Sequence, residues 1–231
     1  MKELTISVVE PFTSPAWGSS FAVFSSDTGL PIPEAQSKDY LRRCCNYAQR
    51  YEVWLVPERF IISEHQCMGL VNPGGEVMGV QKAIHDSPAF KSSGKENTKL
   101  EVFSTGPGGV FLCVDADIYR PEVACIAGNM GAQVIICSQS IASEDYSNHM
   151  VLTGVWNAAQ LAGVYVVAAT NQFNCVCAPI ELTPLGDGFL NAPGLKMPMT
   201  QRLSTDKLGK LRKPKALNRK FYAIHREELI G

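Results

Sequence analysis

The stretch from Gly106 to Glu122 carries the side chains best suited to chemistry in this sequence. It combines a glycine-rich turn, an apolar run from Val110 to Val114, and an acidic elbow with Asp115 and Asp117 ahead of Pro121. Pro121 suits the first position of a helix because proline has no N–H to lose. The pattern predicts a buried strand that leads directly into a helix, with reactive or binding groups at the carboxyl end of the strand.

Two kinds of reactive group compete for the tip of that strand. Cys113 offers a thiolate, which is both a good nucleophile and a good leaving group. Asp115 offers a carboxylate, which would have to form a mixed anhydride and has no proton for a base to accept at neutral pH. The residue that occupies the tip therefore decides whether covalent thiol chemistry is available.

Val110 to Asp115, followed by Arg120-Pro121-Glu122, resembles the elbow of the nitrilase, or carbon–nitrogen hydrolase, superfamily. That family has an apolar strand, then Cys-Tyr-Asp, three further residues and Pro-Glu. The resemblance implies a four-layer α-β-β-α sandwich and a hydrolase of amides or nitriles. In such a hydrolase a glutamate takes the thiol proton, the thiolate attacks the substrate carbon, and a lysine stabilises the oxyanion.

Two registers on the family pattern remain open. In the first, Cys113 is the nucleophile and two extra residues precede Pro121. In the second, nothing is inserted: Asp117, Pro121 and Glu122 keep the family spacing, Asp115 takes the nucleophile position, and Cys113 becomes a small buried apolar side chain within the strand. We favour the second register because a tight strand-to-helix elbow tolerates insertions poorly.

The other two positions of the implied triad lie earlier in the chain. Glu58 follows the predicted strand Val53–Val56 and matches the family glutamate. The segment from Glu58 to Lys82 is short, so the sheet is expected to lack part of one βα unit. The family lysine lies two residues before a histidine, whereas Lys82 lies three before His85. Ala83 thus occupies the lysine position, and Lys82 reaches the pocket only if the backbone bulges.

Three functions are compatible with these residues. The first is a non-catalytic binding or assembly subunit on the nitrilase fold. The second is an active amidase or nitrilase that uses Glu58, Lys82 and Cys113. The third is an enzyme in which Glu58 and Asp115 face one pocket without a lysine, so that their like charges raise one pKa and hold a cation or an amine. The candidate binding residues are His85, Asp117, Glu122 and Asn171.

The remaining elements follow from apolar periodicity. Pro11 to Pro33 has none and predicts a long functional or mobile loop. A helix from Pro121, a strand from Gln133 to Cys137, a second helix with Met150 to Leu161 on it, and a strand from Val164 to Ala169 then follow. This alternation favours right-handed parallel pairing.

Composition excludes several classes of protein. The 231 residues are 45% hydrophobic and 19% charged, as in a globular domain with a sizeable core. No apolar run is long enough to span a bilayer and no signal peptide is expected. The eight cysteines include no Cys-x-x-Cys pair, which predicts reduced thiols in a cytoplasmic protein with no metal and no cofactor.

Charge and resemblance together suggest the partners. The net charge is −1, but basic residues outnumber acidic ones from position 202 to position 231. No recognised motif supports nucleic-acid binding there, so we expect a basic arm that lies on the body of the protein or on a neighbouring subunit. The resemblance implies one domain over residues 1–231, a small amide or nitrile as substrate if the chain is active, and a homo-oligomer or a paralogous subunit as partner.

Overall fold

The computed structural model describes residues 3–25, 28–87, 90–91 and 99–212. Within these residues the helices are α1 (Glu34–Tyr51), α2 (Pro121–Asn129), α3 (Asn148–Val151), α4 (Asn157–Ala162) and α5 (Thr205–Arg212). A short π-helix (Leu152–Trp156) joins α3 to α4, and short 3-10 helices lie at Asp115–Tyr119 and Ile180–Leu182. The strands are β1 (Glu3–Val9), β2 (Phe21–Phe24), β3 (Trp54–Val56), β4 (Phe60–Ile62), β5 (His65–Val71), β6 (Val77–Lys82), β7 (Val102–Ser104), β8 (Gly109–Val114), β9 (Val134–Gln139), β10 (Tyr165–Thr170), β11 (Asn174–Cys177), β12 (Phe189–Gly194) and β13 (Met199–Ser204).

The strands form two sheets that pack face to face. The first sheet has the order β13-β1-β2-β3-β5-β4, with β6 also paired to β5, and the second has the order β12-β11-β10-β9-β8-β7. Strands β8, β9 and β10 are parallel neighbours, as the strand and helix alternation predicted. Alternate residues of β8, including Val110, Leu112 and Val114, point into the apolar layer between the sheets.

Helices cover the outer face of each sheet. The apolar stripe of α1, which includes Tyr40, Cys44 and Ala48, packs on the first sheet. Helices α2 and α4 pack on the second sheet, where Ala127 and Ala158 belong to one buried cluster. The order helix, sheet, sheet, helix confirms the predicted four-layer α-β-β-α sandwich.

One predicted loop was wrong. The segment from Pro11 to Pro33 contains β2, whose Phe21–Phe24 are all buried and which pairs in parallel with both β1 and β3. Four consecutive apolar residues are too few to show a period of two, so the strand left no pattern in the sequence. After β2, Thr28 and Leu30 line a cavity of about 490 Å³, here named the main cavity. A functional role of this part of the segment stays a prediction.

The expected shortening after Glu58 is present. Between β3 and β6, where every residue is described, the chain forms β4 and β5 and no helix. Antiparallel pairing of β5 with β3, β4 and β6 replaces the missing βα unit. The first sheet is therefore completed by hairpins in the region that faces β8.

The expected basic arm is only partly within the described residues, since 213–231 lie outside them. Its first part packs on the body: Leu208 of α5 is fully buried, and the guanidinium of Arg212 donates to the carbonyl oxygens of Gly128 and Ala132 at the end of α2. These bonds hold the end of α5 against the end of α2 and the turn that follows it.

All eight cysteines are free, and Cys45 is the one that is not classed as buried. Among the described residues no cluster of three or more histidine, cysteine, aspartate or glutamate side chains is arranged to hold a metal. None of the described helices is both long enough and apolar enough to cross a membrane.

Candidate functional site

The tip of β8 carries a strained residue. Asp115 follows the buried run Val110–Val114 directly and has a φ of 50°, in the left-handed region. Few side chains adopt this conformation, and aspartate is among those that tolerate it best. Strain of this kind is concentrated at functional positions, and a sharp strand-to-helix turn is one way to project a side chain from the end of a strand.

Asp115 is 4% exposed, and its carboxylate contacts three groups, of which two donate hydrogen bonds and the third is an ion-pair partner. Its Oδ2 accepts from Gln66 Nε2 at 3.1 Å and lies 3.2 Å from the guanidinium Nη1 of Arg59. Its Oδ1 accepts from the backbone N–H of Ser140 at 3.0 Å. A guanidinium and two hydrogen-bond donors therefore surround the buried carboxylate, and such contacts offset the cost of removing its oxygens from water.

Arg59 is the counter-charge and is itself 2% exposed. It also donates to Gln66 Oε1 and to the carbonyl oxygen of Gly29. Burial lowers the pKa of the guanidinium and the adjacent Asp115 opposes that effect. Because an arginine stays protonated in proteins, the two side chains form a buried ion pair.

Gly29 ties the loop after β2 to this pair. Its carbonyl oxygen accepts from Ser140 Oγ at 2.7 Å as well as from Arg59. A Cβ at Gly29 would lie 2.7 Å from Cγ of Asn171, and the φ of +68° also favours glycine. Asn171 in turn bonds both the N–H and the carbonyl of Ile141, at 3.0 and 2.8 Å. The loop and the ends of β8, β9 and β10 therefore meet around Asp115.

A cavity of about 490 Å³ opens beside Asp115. This is within the range of small-molecule sites, and it lies at the carboxyl ends of parallel strands, where α/β proteins place ligands. Its lining mixes hydroxyl, amide and carboxylate groups with apolar side chains: Thr28, Leu30, Ser87, Asp115, Ala116, Tyr119, Gln139, Ser140, Ile141, Ala142, Ser143, Asp145, Met150 and Asn171.

The side chain of Cys113 points away from the layer between the two sheets and towards the helices that cover the second sheet. Its side chain is 1% exposed and belongs to the apolar layer between the second sheet and the helices, where it contacts Cys137 on the adjacent strand. Burial raises the pKa of the Cys113 thiol well above its usual value, and the neighbouring Cys137 adds to this. The thiol is therefore protonated at neutral pH, and Cys113 does not line the cavity.

Lys82 faces away from Asp115. It pairs with Cys67 across the β5 and β6 ladder, so the two side chains share one face of the sheet. Gln66, the residue before Cys67 in β5, points to the opposite face and reaches Asp115. Ala83 packs against the layer between the two sheets. The ladder has its bulge near Leu70 and not at Lys82, so the backbone does not turn the Lys82 side chain towards Asp115.

Glu58 belongs to a different cavity. Tyr40 of α1 donates to its Oε2 at 3.1 Å and accepts from its backbone N–H at 3.0 Å. This second cavity, of about 390 Å³, is lined by Phe12, Ile32, Ala35, Gln36, Asp39, Tyr40, Arg43 and Glu58. The expectation that Glu58 and Asp115 face one pocket was wrong, because Arg59 is the side chain that meets Asp115.

Of the four candidate binding residues, three take part in hydrogen bonds that involve loop segments (His85, Asp117 and Asn171) and one, Glu122, lies in the first turn of α2. Asp117 is 1% exposed and accepts from the backbone N–H groups of Ile84 and His85 and from the His85 ring, at 3.0, 2.9 and 2.9 Å. Burial raises the pKa of Asp117, while these bonds oppose the shift. Glu122 is half-buried in the first turn of α2, where a negative charge suits the helix dipole. Asn171 alone among these four lines the main cavity.

Three residues of the site were not identified from the sequence. Arg59 lies directly after Glu58. No pattern in the sequence indicated that the arginine, and not the glutamate, would contact Asp115 at the end of β8. Ser140 follows β9 and could have been found from its place at the carboxyl end of a parallel strand. Gln66 is the second residue of a seven-residue buried strand, where nothing in the sequence marks it as a site residue.

No protein-family model matches the sequence, and no curated protein matches it. Solved structures do. The carbon–nitrogen hydrolase from Helicobacter pylori G27 superposes with a TM-score of 0.73 at 14% identity over 94% of each chain. Saccharomyces cerevisiae Nit3, a nitrilase superfamily member, gives 0.71 at 14% identity over 92% of this chain and 94% of that one. A cysteine-to-alanine variant of the Nesterenkonia AN1 amidase gives 0.66 at 17% identity over 94% and 97%. The chain therefore has the fold of the nitrilase superfamily.

Proposed function

We propose that this chain is a nitrilase-fold protein without thiol catalysis, and that it acts as a binding or assembly subunit. The observation that carries the proposal is the buried ion pair between Asp115 and Arg59 at the tip of β8. Asp115 has a strained, left-handed conformation at a strand-to-helix elbow, and in the α/β-hydrolases an elbow of this kind exposes the nucleophile. Here that residue is an aspartate.

An aspartate so held is a poor catalyst of amide hydrolysis. Its Oδ2 accepts a hydrogen bond from Gln66 and forms an ion pair with Arg59, and its Oδ1 accepts from the N–H of Ser140. Carboxylate oxygens engaged by an ion pair and hydrogen bonds are poor nucleophiles, because an attack on the substrate would have to break these contacts. A carboxylate also has no proton to give to a base, so the first step of the thiol mechanism has no counterpart.

The positions of the other two implied groups support the same conclusion. The Cys113 thiol is buried among apolar side chains and kept protonated. Lys82 shares a face with Cys67, while Gln66 on the opposite face reaches Asp115. A cysteine nucleophile needs a base and an oxyanion donor within hydrogen-bond reach, and neither Glu58 nor Lys82 lines the cavity beside Asp115.

A covalent probe tests the proposal. In a glutamate-to-glutamine variant of the Nesterenkonia amidase, the acetamide moiety of fluoroacetamide adds covalently at the active-site cysteine. We expect the native protein to show no such adduct by intact-mass measurement, and no ammonia release from short aliphatic amides. Cys113→Ala serves as the matched variant and should behave as the native protein does. An adduct or a turnover that disappears in Cys113→Ala would establish a working amidase and refute the proposal.

We also propose that the chain associates with a second copy or a related subunit through the helices that cover its second sheet. Leu152 and Leu161, on the helix that runs from α3 to α4, are 46% and 53% exposed. Exposed apolar side chains on the outer helices are the groups that a subunit interface would cover, since contiguous apolar surface marks such interfaces. Sedimentation should give an oligomer that Leu161→Glu weakens, while Leu195→Glu, an equally exposed position after β12, does not. A monomer at every concentration tested would contradict this.

A further inference from the structure

Two side chains of the main cavity, Asp115 and Ser140, present acceptors next to each other. Among the described residues, Oδ1 of Asp115 accepts from the N–H of Ser140, so a carboxylate oxygen that can accept two bonds keeps one position for a ligand. The Ser140 hydroxyl has already given its proton to the carbonyl of Gly29 and presents lone pairs. Asp145 is exposed at the same cavity and accepts only.

The charges of the cavity have the same sign. Among its described lining residues are two carboxylates, Asp115 and Asp145, and no lysine, arginine or histidine. The guanidinium of Arg59 does not line the cavity, and its donors serve Asp115, Gln66 and Gly29. Arg59 compensates the charge of Asp115 from behind, and Asp145 adds a negative charge at the rim. An anionic ligand would therefore meet carboxylate oxygens and no described cation in the lining, which is a costly arrangement in a partly dry site.

The rest of the lining is apolar. Ile141 is buried, Met150 is half-buried, and Ala116 and Leu30 complete the wall. A short alkyl group fits such a surface, and the flexible thioether of methionine adapts to its shape. The cavity therefore combines an apolar wall with a wall of acceptors that carries negative charge.

We infer that this cavity binds a small organic amine in its protonated form, with the ammonium group donating to Asp115 Oδ1 and Ser140 Oγ and the alkyl group against Met150 and Ile141. The inference rests on the proposed non-catalytic function, since it assigns a ligand class to the same site. It differs from the amide or nitrile that the resemblance implied, because an ammonium offers three donors and a positive charge to a site that has acceptors to spare.

The test compares three probes with one carbon skeleton: butylammonium, butyramide and butyrate. Isothermal titration calorimetry on the full chain should show saturable millimolar binding of butylammonium, at least about tenfold weaker binding of butyramide, and no binding of butyrate, since a charge-assisted bond exceeds a neutral one by about that factor. Asp115→Asn should weaken butylammonium binding about tenfold by the same reasoning. Asp39→Asn, a matched change at the second cavity, should leave it unaltered.

Every result bears on the inference. If Asp115→Asn does not fold, Asp145→Asn at the exposed rim provides the second variant and should weaken binding of butylammonium alone. Preferential binding of butyrate, no saturation with butylammonium, or weakening by Asp39→Asn in place of Asp115→Asn would overturn the amine assignment and leave the proposed function intact. Hydrolysis of butyramide would instead refute the proposed function.

Discussion

Removing Arg59 should destabilise the protein far more than removing an exposed arginine with the same contact distance. Arg59→Met deletes the 3.2 Å contact with Asp115 and the bonds to Gln66 and Gly29, and it leaves a carboxylate that is 5% exposed without a counter-charge. At 3.2 Å and an effective dielectric constant of about 20, the lost attraction is about 5 kcal/mol. Measured losses on breaking buried pairs are about 3–5 kcal/mol, and we expect a decrease of that size in the free energy of unfolding.

The chain supplies its own control. Arg42 and Asp39 also lie 3.2 Å apart, but their side chains are 75% and 77% exposed. Arg42→Met should therefore cost only about 0–1 kcal/mol in urea denaturation. The double variant Arg59→Met/Asp115→Asn should recover part of the loss, because it removes the unpaired charge and because asparagine tolerates the left-handed backbone at this position. Equal costs for Arg59→Met and Arg42→Met would refute the assignment of a buried ion pair.

Two further predictions concern pH and the loop after β2. Burial raises the pKa of Cys44 to about 12, so between about pH 9 and 12 the unfolded chain has lost a proton that the native state keeps. The contribution of Cys44 to the free energy of unfolding should therefore fall by about 1.4 kcal/mol per pH unit in that window. Cys44→Ala should reduce the slope of the free energy of unfolding against pH, and an unchanged slope would contradict the assignment. Gly29→Ala should cost more than Gly18→Ala in the same measurement. Both glycines have positive φ, +68° and +77°, but only Gly29 lacks room for a Cβ, so equal losses would mean that the close packing of the loop is unimportant.

Much of the fold followed from sequence because its signals were local. The apolar run of β8, the proline at the start of α2 and the short segment after Glu58 each indicated the correct element. The opposite orientation of Lys82 also followed from counting residues, since side chains alternate along a strand. β2 was missed because its four residues are too few to carry a period.

The contacts of the site were less accessible from sequence. Glu58 and Arg59 are consecutive and lie beyond the end of β3, where strand alternation no longer fixes which of them points inward. The outcome depends on Tyr40, which binds Glu58 from a helix distant in sequence, and on Gln66, which helps to hold Arg59 against Asp115. Such choices are made by tertiary packing, and a single sequence contains no periodic signal for them.

The central claim is that residue 115, and not residue 113, occupies the position of a nucleophile. Its most direct test is the rate of iodoacetamide alkylation at each cysteine, read by peptide mass spectrometry under native conditions. In the wild-type chain Cys45, the one cysteine that is not classed as buried, should react first and Cys113 slowly. The thiol introduced by Asp115→Cys, which would line the cavity beside Arg59, should react faster than either, because a neighbouring cation lowers the pKa of a thiol. Rapid labelling of Cys113 in the wild-type chain, or a slow reaction at the introduced thiol, would contradict the account.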